Sequence, residues 1–336
     1  MKNRIIPVFI PHAGCVHTCV FCNQNRISGV NGIPAIQEIR GAADSLKNDG
    51  CPAELAFYGG SFTALPEERQ IEFLAAAKPF LASDPSRSIR VSTRPDYIDE
   101  ATVARLKRYG VKTVELGAQS MCDDVLAQSQ RGHTAKDTAQ ASELIKRSGL
   151  SLILQMMTGL PGDTHEKSLY TASRFIELKP DGVRIYPTVV VRGTGLFEMW
   201  QSGQYHEHSI DEAVELCAEI CALFMKEEIP IIRLGLNPTD ALSSGDAAAG
   251  AYHPAFGELV YSRMYYDKAT ALMRDIPRRS SATITVPKGC TSIMIGQNRE
   301  NVSKLKDKFA LQSVRIVESN VKPASKPGEI HIEITS

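Results

Sequence analysis

Cys15, Cys19 and Cys22 fall in the spacing C-x3-C-x2-C inside the stretch PHAGCVHTCVFCNQNRISG, residues 11–29. Thiolates at this spacing on one loop can converge on a single soft metal centre. A [4Fe–4S] cluster held by three protein thiolates keeps one iron open, and an open iron is where a small molecule can be activated. A structural zinc ion would instead need a closed fourth ligand, with His12 or His17 as the nearest candidate. Three unconnected core cysteines are the remaining alternative.

These cysteines follow the first of a series of short β-branched runs. The runs are residues 5–10, 54–58, 88–93, 113–118, 152–157 and 182–187, with 230–236 a weaker seventh. Helical patterns lie between them, over 66–81, 98–109, 134–148 and 165–178, some preceded by Asp, Ser or Thr in capping positions. Repeated strand-then-helix units predict a parallel sheet wrapped by helices. Six or seven units fit an incomplete barrel, an α/β fold of partial (β/α)6 type, whose chemistry sits on the loops after the strands.

Those loops carry a recurring set of polar and small residues. FYGGSF places Gly59, Gly60 and Ser61 after the second strand, where backbone can approach a ligand closely. STRPD places Thr93, Arg94 and Asp96 after the third, and an arginine there can fork onto a carboxylate or pair with Asp96. ELGAQS offers Glu115, Gln119 and Ser120, candidates for ribose or amino acid contacts. MTGLPGDT offers Gly159 and Gly162, which permit close approach to a flat base. Each alone reads as a turn, but their recurrence after successive strands favours one shared site.

The cysteine spacing, with Phe21 directly before the last cysteine, resembles the motif of the radical S-adenosylmethionine (SAM) superfamily. The resemblance implies a partial barrel, a [4Fe–4S] cluster on Cys15, Cys19 and Cys22, and SAM bound to the unique iron. Phe21 and the loops at 59–62, 92–96, 117–120 and 158–162 would hold the cofactor, and reductive cleavage would yield a 5′-deoxyadenosyl radical. STRPDYID, YGVKTVELGAQS, QRGHTAKDT and KPDGVRIYPTVVVRGTGLFEMWQSGQY narrow the likeness to the tRNA-modifying family of the Elongator catalytic subunit, over about residues 5–245. That narrower resemblance implies that Arg94 with Asp96, Gln119, Arg131 with His133, and Tyr186 with Arg192 line or support the site. The last four, Arg131, His133, Tyr186 and Arg192, are the expected catalytic group. Two departures stand out. Elongator proteins space their first two cysteines more widely, and the acetyltransferase domain of that family is not expected in this chain, so carboxymethylation is not carried over.

At 336 residues, 43% hydrophobic and 23% charged, the composition is that of a globular protein with a full core. No run approaches a membrane span, and the opening MKNRIIPVFIPHAG is too short and too broken by proline for a secretory signal. A cytoplasmic location without membrane association is expected, and eight cysteines there read as ligands or core residues rather than disulfides. Cys217 and Cys221 share an apolar helical stripe with Val214, Ile220 and Phe224, which reads as core. Cys51, Cys122 and Cys290 have no partner by spacing.

The net charge is zero, yet residues 277–336 hold 10 Lys/Arg against 5 Asp/Glu, whereas residues 1–276 hold 28 against 33. The domains are expected as a barrel at 1–245, a linker and helical extension at 246–276, and a small basic α+β domain at 277–336. Within the last, Gly296 and Arg299, Lys304, Lys306 and Lys308 resemble a degenerate KH module, with GQNR where GXXG is usual. RNA, foremost tRNA, is the expected partner of this basic domain, and a low-potential electron donor is the other. The same sequence leaves open a radical SAM enzyme acting on a small molecule, as in the porphyrin-forming branch. A non-catalytic RNA-binding protein with a structural metal is the further alternative.

Overall fold

The computed structural model describes residues 4–15, 17–30, 32–44, 52–277, 279–320 and 327–335. Cys51 lies outside them. The chain forms two compact units, one of residues 1–210 with 223–254 and one of residues 211–222 with 255–336.

In the first unit seven parallel strands form one curled half-barrel sheet in the order β1-β2-β3-β4-β5-β6-β8. They are β1 Arg4–Phe9, β2 Ala53–Tyr58, β3 Ser88–Thr93, β4 Val111–Gln119, β5 Ser151–Thr158, β6 Gly182–Pro187 and, after the three-residue β7 Val189–Val191, β8 Ile231–Leu234. The inner strands are buried on both faces, as an all-parallel sheet covered by helices requires. The edges are β1 and β8, and both are more exposed. Pro7, which cannot donate to a ladder, falls on edge strand β1, where its missing N–H leaves no ladder partner unsatisfied.

Local chemistry sets the helix starts. Asp99 accepts from the Thr102 N–H at 2.7 Å and opens the helix Glu100–Arg108. Thr134 and Asp137 form a reciprocal capping box for Ala135–Arg147. Thr164 caps His165–Leu178 through the Lys167 N–H. Each cap fixes where the chain turns from a strand-end loop into a helix, and so fixes the length of the loop that faces the site.

The segment 237–254 is ordered rather than a loose tether. Its strand β9, Ala247–Gly250, pairs antiparallel with β7. Arg26 is bridged to Asp246, and Arg192 donates from Nε to the Gly245 carbonyl at 3.0 Å. The flap is therefore tied both to the helix Gln24–Ser28, just after the cysteines, and to the end of β7.

The second unit carries the helix Phe256–Leu272 and a three-stranded sheet, β10 Ser281–Val286, β11 Ser313–Glu318 and β12 His331–Thr335, in the order β11-β10-β12. Tyr265 and Ala269 of the helix and Met273, its C-cap, enter its core beside Ile284, Val286, Met294 and Leu305. The expected extension at 246–276 is thus shared between the flap and this core. Cys217 and Cys221 are fully buried here, as is Cys290. Between β10 and β11 the helices Thr291–Ile295 and Glu300–Lys308 flank Gly296–Arg299, where Gly296, Asn298 and Arg299 all have positive φ. Lys304 is paired with Glu300, and Lys308 lies over the Tyr266 ring.

Candidate active site

The three cysteines, the strand-end loops and the lumen of the half-barrel enclose one cavity of about 530 Å³. Cys15, Cys19 and Cys22 are the cysteines in its wall, joined by Phe21, Gly59, Gly60, Ser61, Thr93, Arg94, Gln119, Arg131 and Tyr186. Residues brought from five strand ends and one loop therefore face a common space, as the recurring loop pattern predicts.

The cysteine loop is held by backbone. Ile10 N donates to Tyr58 O at 2.7 Å, His12 N to Gly59 O at 2.9 Å, and Ser61 N to Ala13 O at 2.9 Å. A Cβ on Gly60 would stand 2.4 Å from the Ala13 carbonyl and 2.5 Å from that of Ile10, and one on Gly14 would stand 2.2 Å from the Ser61 carbonyl. Gly60 thus serves contact between two protein loops, whereas Gly59 answers a turn at φ 87°. Approach to a ligand, expected from the sequence, is not what makes Gly60 obligatory.

Charge and hydrogen bonding around the sulfurs suit thiolate ligands. Arg131 donates from Nη1 to the Cys19 sulfur at 3.1 Å and from Nη2 to the Gly117 carbonyl. Gln24 donates from Nε2 to the Cys22 sulfur at 3.3 Å. Burial, then the neighbouring Cys19, push Cys22 up to about 12 and raise Cys15 above an ordinary thiol. A strongly positive centre beside Cys15 and Cys22 would be needed to hold these two as thiolates. Among the described residues no set of three His, Cys, Asp or Glu forms a ready cage for a single metal ion. What fits a three-thiolate cluster is the donor chemistry: three thiols on one loop, open to one cavity. His12 Nε2 accepts the Gln24 backbone N–H at 3.0 Å, so that nitrogen is occupied, while His17 lines the cavity with the cysteines.

Other expected site residues have different places. Arg94 is 4% exposed and forks onto Asp96 at 3.0 and 2.9 Å, so the pairing with Asp96 is present and the guanidinium is buried. Gln119, a non-glycine at φ 67°, lies at a register shift in β4 and accepts from Gln155 at 3.3 Å. Strained backbone of this kind persists where surrounding structure imposes it. Ser120 is buried against Thr171 and caps the Cys122 N–H, away from the cavity wall. Gly159 and Gly162 line a smaller pocket of about 170 Å³ with Asp163, Tyr205 and His208. Space beside them is taken by the His208 ring and the Gln128 side chain. Arg192 is exposed, lies over Phe197 and anchors the flap, so it is not among the cavity residues. His133 is buried outside the wall, its Nε2 at 3.2 Å from the Ala118 carbonyl. Burial and then Arg131 lower its pKa to about 3, so it stays neutral. It can hold the strand end but has no proton to give near neutrality.

The lumen floor was not legible in the sequence. Glu54 and Glu115 bracket Arg90 at 2.5 Å each, and Glu115 also receives Arg184 at 2.9 Å and the Tyr58 hydroxyl at 3.1 Å. Glu115, expected as a ribose contact, is thus a counter-ion in a buried network. Alternation along β2, β3, β4 and β6 puts these residues on one face, a signal masked by the burial of the other.

Two family models match the chain, one described as the Radical SAM superfamily over residues 9–173 and one as the Radical_SAM C-terminal domain over 180–266. Elongator complex protein 3 of Mus musculus is 35% identical over 232 residues, 63% of this chain and 41% of that protein. The tRNA uridine(34) acetyltransferase of Methanocaldococcus infernus is 27% identical over 331 residues, 85% of this chain and 60% of that one. The chain therefore spans less than two thirds of the length of either relative. A solved structure of M. infernus Elp3 with an N-terminal deletion superposes with a TM-score of 0.60 at 24% identity, covering 80% of this chain and 64% of that one. Coproporphyrinogen III oxidase of Escherichia coli, described as a radical SAM enzyme, superposes with a TM-score of 0.52 at 18% identity over 67% of this chain and 53% of that one. Both show the fold.

Proposed function

The chain belongs to the radical SAM superfamily of enzymes, and from that footing we propose that it binds a [4Fe–4S] cluster and SAM and uses them to modify RNA, with tRNA as substrate. The observation that carries the reading is the meeting of Cys15, Cys19 and Cys22 with the strand-end loops in one cavity. The similarity to Elongator complex protein 3 and to a tRNA uridine(34) acetyltransferase supports tRNA as the substrate.

In this reading the cluster and SAM supply a radical able to abstract hydrogen, which no side chain can do. The three cysteines are its ligands. Arg131 neutralises the Cys19 thiolate and, braced on the Gly117 carbonyl, keeps a positive edge toward the cavity. Arg94, set by Asp96, adds a second cation in the wall, and guanidinium groups of this kind fork onto a carboxylate such as that of an amino acid. Gln119, Thr93, Gly59, Gly60 and Ser61 supply polar and backbone contacts, and Phe21 an apolar wall. Tyr186 stands farther along the lumen beside Arg184, on the side where substrate would meet the cofactor. The flap closed by Arg26–Asp246 lies where it can exclude water from the cluster loop. The basic face of the second unit around Arg299, Lys306 and Lys308 is the proposed RNA contact, a low-potential protein the proposed electron donor, and the cytoplasm the proposed location. Among the described residues no helix is long and apolar enough to cross a membrane.

Anaerobic reconstitution should give a brown protein that releases 5′-deoxyadenosine under strong reductant, and modification profiling of tRNA from a deletion strain should show a missing nucleoside. A fully loaded protein that never cleaves SAM, with or without tRNA, would refute the proposal. Zinc without iron in anaerobically purified protein would do the same.

A further inference from the structure

Beyond the arginines around the cysteine loop, the lumen holds a cation, Arg233, that no acid answers among the described residues. Arg90 and Arg184 are answered by Glu54 and Glu115. Arg233, on β8, stands in register directly beside Arg184 on β6 and lines the same cavity. Like charges on registered neighbours are unfavourable, so the pairing calls for a balancing charge. Among the described residues no carboxylate meets Arg233. It donates instead from Nε to the Gly235 carbonyl and from Nη2 to the Leu236 carbonyl, both at 3.1 Å. These bonds fix the guanidinium plane and leave the remaining donors of its five N–H groups unspent. Burial, together with Arg184, lowers its pKa, as expected of a cation short of a counter-ion. Arg184 has a buried Nε without a hydrogen-bond partner, and its Nη1 reaches the Tyr186 hydroxyl at 3.3 Å. Two guanidinium groups and a phenol therefore surround a gap in the charge pattern of the lumen wall.

We propose that Arg233, with Tyr186, forms a subsite for an oxyanion group of the substrate, which is the phosphate of a nucleotide drawn into the half-barrel. The identification of the oxyanion as phosphate rests on the RNA reading above; the need for an anion does not. The apolar residues Ile5, Pro7 and Phe9 of edge strand β1 also line the cavity, and they offer a surface suited to a base or sugar. A planar fork matches phosphate oxygens in a way that a lysine point charge does not.

The test is equilibrium dialysis of the reconstituted full chain against uridine 5′-monophosphate, uridine and glutarate, with iron measured on the same samples. The monophosphate should bind tighter than uridine by roughly 10- to 100-fold, the range for a charge-assisted hydrogen-bonded contact. R233Q should abolish that preference and R233K should keep part of it. Melting curves establish that the variants are folded, and if R233Q is not, the intermediate loss in R233K decides. Equal binding of monophosphate and uridine by the wild type, or an unchanged preference in a folded R233Q, would overturn the subsite. Tighter binding of glutarate than of the monophosphate would overturn phosphate as its occupant. Protein that takes up no iron refutes the cluster reading, whereas iron-loaded protein without phosphate preference refutes this inference alone.

Discussion

Gly60→Ala gives the sharpest test of how the cysteine loop is placed. Only a Cβ is added, at a position whose backbone angles suit any residue, so strain in φ plays no part. That carbon would sit 2.4 Å from the Ala13 carbonyl and 2.5 Å from the Ile10 carbonyl. Ordinary contact begins near 3.4 Å, so the two loops must separate by about 1 Å, and both obstacles are backbone atoms that cannot rotate away. Overpacking of this kind costs about 1–3 kcal/mol. The same movement lengthens the Ser61 N to Ala13 O bond, now 2.9 Å, and shifts Cys15 relative to the loops behind it. G60A should therefore lower the denaturant midpoint and also reduce iron retained after anaerobic reconstitution to well under half of wild type. Gly41→Ala is the control: it lies in the helix Ile36–Asp44 with nothing within 4 Å of its Cβ, and it should be neutral or stabilising by about 0.5–1 kcal/mol. If G60A melts and loads iron like wild type, the interlock of the two loops is not what positions the cluster.

Cys19→Ser should abolish iron binding, as measured by iron analysis and visible absorption, while Cys217→Ser should leave iron content unchanged because that sulfur is fully buried in the other unit. Glu115→Ala should cost about 3–5 kcal/mol in chemical denaturation, since it strips a buried counter-ion from both Arg90 and Arg184; a loss under 1 kcal/mol would show that water enters the lumen. His133 is held near a pKa of about 3 against an ordinary value near 6.5, so between these limits the unfolded chain binds the proton that the folded chain refuses. Stability should therefore fall as pH drops from about 6.5 toward 3, and His133→Gln should flatten that slope in denaturation curves taken across the window.

The cysteine loop, the strand runs and the helix caps were legible because each is written in neighbouring residues. Three thiols in one short loop need no tertiary information to suggest one centre, and every one of the seven expected strands of the main sheet appears within about two residues of its run. Asp99, Thr134 and Thr164 cap the helices that begin next in the chain. The roles of polar residues inside the strands were not legible. In a strand buried on both faces the alternation that would tell lumen from outer side is lost, so Glu115 read as a ligand contact, and Arg184 and Arg233 were not singled out. Gly159 and Gly162 have the composition of a cofactor loop, but His208 and Gln128, both distant from them in sequence, fill the space beside them.

By itself, then, the order of residues determined the periodicity of the elements, the three-thiolate donor set and the loops on which polar groups would recur, all properties of segments a few residues long. The tertiary structure decided which of those groups share a cavity, that Gly60 is needed for loop against loop, and that Arg233 stands beside Arg184 with no acid among the described residues to answer it. Those facts depend on strand register and on the curl of the sheet. Both are set by contacts between residues dozens of positions apart, which no local spacing records.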